Sequence, residues 1–168
     1  MLVVAAAACN DTADQVNAPD LTVPIEWSLD DMAAAPAPPA ADWLTYANRA
    51  VGFSVQHPPH WQLVDLAPRG DIQGVSLQGP EGAVDLLWGQ GFGGACPEGL
   101  VELQVAEGVL TACYAEAGDG SATWEQIGKV LDGVTFGARA RTVAGASGGA
   151  EVIRSIFGTL AFPLRARG

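Results

Sequence analysis

The sequence predicts an α+β fold, an antiparallel β-sheet packed with a C-terminal α-helix. Two observations carry this expectation. Between residues 42 and 142, short apolar runs alternate in and out with period two, and glycine and proline turns punctuate them. That is the pattern of half-buried strands. Near the C-terminus, Val152, Ile153, Ile156, Phe157 and Leu160 recur at helical spacing, on one face of about three turns.

The strands follow in order. W-L-T-Y (Trp43–Tyr46) leads into a turn at Ala47-Asn48-Arg49, then F-S-V-Q-H (Phe53–His57) alternates cleanly. Pro58 and Pro59 end that run, because proline cannot donate to a ladder. Trp61 follows as a core anchor. Gly74–Gln78 and Ala83–Trp88 flank the turn Gly79-Pro80-Glu81-Gly82. Leu100–Val105 and Gly108–Tyr114 alternate around Glu107-Gly108. Trp124–Leu131 and Val134–Arg141 flank Asp132-Gly133, a strong hairpin signal because both turn positions need positive φ. Val134, Phe136, Ala138 and Ala140 should face the core, with Thr135, Arg139 and Arg141 in water. The helical run E-V-I-R-S-I-F-G-T-L should bury its apolar face on the sheet and leave Arg154 outside.

The chain of 168 residues carries 19 acids and 8 bases, a net charge of −11. That balance excludes general nucleic-acid binding, which needs Lys and Arg against phosphates. The charge is unevenly placed. Residues 1–128 hold Arg49 and Arg69 as their bases, whereas Lys129, Arg139, Arg141, Arg154, Arg165 and Arg167 crowd the last 40 positions. The C-terminal third is the one basic surface, read either as a solvated face or as a contact.

Four regions are expected. Residues 1–8 read as part of a lipoprotein signal. Residues 9–41 form an acidic, Ala/Pro-rich tether, residues 42–162 a single globular domain, and residues 163–168 a basic tail. The opening M-L-V-V-A-A-A-A-C leads small residues into Cys9, which resembles a bacterial lipobox. In such a sequence the cysteine is lipidated and becomes the mature N-terminus. Ala6 stands where a lipobox usually has Leu, and no base precedes the apolar run. An ordinary signal-peptidase site with an incidental cysteine is the competing reading. The run is too short for a complete signal or a span, so the reading expects the natural start to lie upstream. Two or more acyl chains hold a protein stably on a membrane. The expected location is therefore extracytoplasmic, on the outer face of a bacterial membrane.

Residues 10–41 carry six acids and no base. Their acidic part has too little apolar surface to order itself, and the A-P-A-P-P stretch is a semi-rigid spacer. Within the tether, Leu21, Val23, Ile25 and Trp27 make an apolar island. It reads either as a patch packing on its own domain or as a linear segment that docks on a partner. Phe92, at the tip of a glycine-rich loop, is a second candidate partner contact.

Cys96 and Cys113 read as a disulfide in an exported chain. The competing reading, a catalytic thiol, has no neighbouring histidine or other base in the sequence. Gly89, Gly91 and Gly94 satisfy G-x-G-x-x-G, but Cys96-Pro97 stand where a helix should begin, which argues against a dinucleotide site. His57 and His60 flank two prolines and supply at most two metal ligands, fewer than zinc sites use. No Ser-His-Asp set or Walker loop is read from the sequence. No cofactor is expected.

The segment Y-A-N-R-A-V-G-F-S-V-Q-H-P-P-H-W resembles the opening of the PsbP-like domain, with matches at Tyr46, Asn48, Gly52, Phe53, Ser54, Pro58 and Trp61. The final run I-R-S-I-F-G-T-L-A-F is similar to that family's last helix. The resemblance implies a PsbP-like sandwich of sheet and helices. It also implies a non-enzymatic role in binding or assembling large membrane complexes. The functional expectation is a lipid-anchored accessory subunit or assembly factor of a respiratory or photosynthetic complex. Its partners would be the membrane, through the anchor, and protein subunits of that complex. The alternative is a free-standing envelope lipoprotein that binds a small solute or a metal.

Overall fold

A computed structural model describes residues 36–90, 96 and 99–163. Nine strands and one short helix make up its regular structure. The strands are β1 (Leu44–Asn48), β2 (Phe53–His57), β3 (Gln62–Arg69), β4 (Ile72–Gly79), β5 (Gly82–Gly89), β6 (Gly99–Val105), β7 (Gly108–Glu116), β8 (Ala122–Leu131) and β9 (Val134–Thr142), and the helix is α1 (Gly149–Gly158). β1 and β2 pair as a separate hairpin, and the rest form one antiparallel sheet in the order β3-β4-β5-β9-β8-β7-β6.

This corrects the α+β expectation. The described residues are 58% strand and 8% helical, so the fold is predominantly β rather than a sheet packed with helix. The reason lies in the connections. Tight turns join β3 to β4, β4 to β5, β6 to β7 and β8 to β9, and each continues one antiparallel ladder. Such turns leave no length for helices between strands. α1 forms where the period changes to 3.6, and its ten residues cover only part of one sheet face.

Two hairpin meanders meet in the middle of the sheet. β3, β4 and β5 run in sequence. The chain then crosses to the far edge, starts β6 there, and meanders back until β9 pairs with β5. Asp132 and Gly133 turn β8 into β9, both with positive φ (45° and 83°). β8 has a bulge between Trp124 and Ile127, where Gln126 takes a φ of 57°. The extra residue lets Trp124 and Ile127 both reach the core although they are three positions apart.

One face of the sheet is the core face. A cross-strand row runs Tyr114–Trp124–Ala140–Val84–Leu77, and a second runs Ile127–Ala138–Leu86–Val75. The β1–β2 hairpin closes one end of this face: Phe53 lies 4.9 Å from Phe136 and 5.9 Å from Trp88, ring centre to ring centre. α1 buries Ile153, Ile156 and Phe157 on the same side. Thr159 caps the helix and ties it to β2, since its Oγ1 accepts the Gln56 amide at 2.7 Å. Ser54 and Ala161 then exchange backbone hydrogen bonds at 2.9 Å.

The opposite face is built differently. Val64, Ser76, Asp85 and Arg139 stand side by side across β3, β4, β5 and β9. The Asp85 carboxylate is buried and accepts from Ser76 Oγ at 2.6 Å and from Arg139 Nε at 2.8 Å. Among the described residues, no strand or helix packs over this face.

Candidate functional site

A concavity opens on the core face, between the first turns of α1 and strands β6, β7 and β8. Its volume is about 480 Å³, within the range of ligand pockets. Val101 and Leu103 of β6, Tyr114 and Glu116 of β7, and Trp124 of β8 line one side. Gly148, Gly149, Glu151 and Arg154, at the start of α1, line the other. Glycines at its rim add no side-chain bulk to fill it.

Its polar groups come from period-two and helical spacing. Tyr114 and Glu116 are two residues apart on β7 and share a face, so the Tyr114 hydroxyl donates to Glu116 Oε2 at 3.3 Å. The Tyr114 ring rests on Trp124, with ring centres 5.3 Å apart. Burial raises the Tyr114 pKa, and the Glu116 charge and hydrogen bond raise it further, while Arg154 pulls the other way. Tyr114 therefore stays a neutral donor at physiological pH. Glu151 and Arg154, three apart on α1, border the same space. The arrangement can hold a polar or charged group against an aromatic wall.

The sequence-predicted residues fall elsewhere. Cys96 and Cys113 form a disulfide with Cα atoms 5.3 Å apart. Cys113 sits opposite Leu100 in the β6–β7 ladder, so the bond fastens the chain entering β6 to the neighbouring strand. Cys9, Leu21, Val23, Ile25, Trp27 and Phe92 lie outside the described residues. Gly91 and Gly94 do too, while Gly89 packs against the Asp71 backbone.

The two histidines do not converge. His57 is buried and its Nδ1 donates to Pro58 O at 3.0 Å, whereas exposed His60 reaches Glu81 Oε1 at 3.2 Å. Among the described residues, no three His, Cys, Asp or Glu side chains gather as a metal site. No described helix is long and apolar enough to cross a membrane.

Sequence reasoning missed the cleft. Its one legible trace was the alternation in β7, which puts Ala112, Tyr114 and Glu116 on one face. The partners on β8 and α1 are brought there by strand order, which no local pattern encodes.

Comparison with known proteins adds little. No family model matches the chain, and no curated protein does. A solved structure from Bacteroides thetaiotaomicron is similar at 11% identity with a TM-score of 0.40. The match covers 70% of this chain and 47% of that one, so the chain spans about half the length of this neighbour. A likeness this weak carries no argument about fold or function.

Proposed function

We propose that this protein is a non-catalytic accessory subunit or assembly factor, anchored by a lipidated Cys9 on the outer face of a bacterial membrane. It would bind protein subunits of a larger respiratory or photosynthetic envelope complex. The observation that supports this most is the sheet face that no described strand or helix covers. It is seven strands wide and is not uniformly polar. Leu100 and Val130 are 69% and 71% exposed, and Val64 and Val109 are exposed on the same face. An antiparallel sheet can present one face to water. A broad face that combines exposed aliphatics with Arg139 and Arg141 suits a macromolecular contact. The resemblance of Tyr46–Trp61 to the PsbP-like opening points the same way.

The test is photo-crosslinking in native membranes from probes at Leu100 and Val130. Discrete adducts with one set of proteins, together with an acylated Cys9 in the intact mass, support the reading. Crosslinks to lipid or to nothing, or an unmodified Cys9, contradict it. The cleft under α1 favours a second reading, a free-standing lipoprotein that binds a small solute there.

A further inference from the structure

The cleft between α1 and β6–β7 has a chemistry of its own. Two carboxylates, Glu116 and Glu151, border it beside the guanidinium of Arg154. Its wall is aromatic, with the half-buried Tyr114 ring packed at a tilt against Trp124. The Tyr114 hydroxyl is already turned toward Glu116. Carboxylates beside an aromatic ring are the combination that holds an organic cation, because the ring face and the acids attract the same charge. A neutral or anionic solute would meet a net negative rim. β6, which lines part of the cleft, is the edge strand of the sheet, so an extended segment beside that edge would bring a long side chain near it.

We propose that this cleft receives the cationic side chain of a lysine- or arginine-rich segment of a partner polypeptide. The proposal rests on the reading of the protein as a subunit that binds other proteins. It names the chemistry of one contact, a basic extended segment lying along β6 with one ammonium or guanidinium group inserted between Tyr114 and the carboxylates. The chain's own charge of −11 steers such a segment toward it.

The experiment titrates the full-length protein with tetralysine and tetra-arginine peptides, following amide chemical shifts. Tetraglutamate and n-butylamine serve as comparison probes. The basic peptides should bind saturably, shift the resonances of Tyr114, Glu116 and Glu151, and weaken as salt rises. The double variant E116Q/E151Q should lower affinity by about tenfold, the size of two partly exposed charge contacts. The outer-face variant E125Q should bind like wild type. No saturable binding, shifts spread over the other face, or unchanged affinity in E116Q/E151Q would overturn the proposal. Butylamine binding as tightly as the peptides would overturn it too, because the cleft would then be a small-amine site. Crosslinked partners in membranes with no peptide binding in solution would leave the subunit reading standing and remove only this contact.

Discussion

The indole Nε1 of Trp61 donates to Glu81 Oε2 at 2.8 Å and fastens the turn after β2 to the β4–β5 hairpin. The indole also lies against the backbone of Gly79, where a Cβ would collide with the ring. Two substitutions follow. Trp61→Phe keeps a ring but loses the hydrogen bond, and should cost about 1–2 kcal/mol in urea unfolding. Gly79→Ala should also destabilise, because the ring must move to make room. A Gly79→Ala protein as stable as wild type would contradict this packing.

The same carboxylate sets a pH dependence. Burial pushes the Glu81 pKa up, but hydrogen bonds from its own amide, Trp61 and His60, and the His60 charge, outweigh it and hold it below the usual range. The folded form is thus the stronger acid. The contribution to stability is present above the unfolded value of about 4.3 and is lost as pH falls through the folded one. Wild type should therefore lose more stability on acidification than Glu81→Gln. Equal acid slopes for the two proteins would mean that Glu81 is not the coupled group.

Reduction of Cys96–Cys113 should lower stability by about 3 kcal/mol, the chain-entropy cost of releasing a loop of 17 residues. Urea midpoints with and without reductant measure it, and Cys96→Ala/Cys113→Ala should match the reduced wild type. Two free thiols in the untreated, denatured protein would show that the bond does not form.

Across the sheet, Arg139 is the charged partner of buried Asp85. Arg139→Met should cost about 1–3 kcal/mol, because it leaves the carboxylate with the Ser76 hydroxyl alone. Adding Asp85→Asn to that variant should recover part of the loss. Strict additivity in this double-mutant cycle would mean the pair is not coupled.

These relationships differ in how far the sequence reveals them. The Asp132-Gly133 hairpin was legible because two positive φ values leave few residue choices. The α1 face was legible because five apolar residues repeat at one period. The disulfide was legible because Cys96 and Cys113 are the two cysteines beyond Cys9. The fold class was misjudged because one clear helix drew more weight than nine short strands, which make up 58% of the described residues. The β8 bulge was hidden, since a positive φ at Gln126 has no residue signature of the kind glycine gives. Strand order was hidden too: β5 pairs with β9 rather than β6 through contacts some fifty residues apart, as between Asp85 and Arg139. The cleft depends on that order, so Tyr114, Glu151 and Arg154 read as unrelated residues until the fold joins them.

We propose above that the protein works as a subunit of something larger. Affinity purification of the native protein from mild-detergent membranes tests this most directly. The account predicts recovery with a stoichiometric set of envelope proteins, and loss of those proteins when exposed Leu100 and Val130 are replaced by glutamate in a variant that still folds. Recovery of the chain alone at full yield would contradict it.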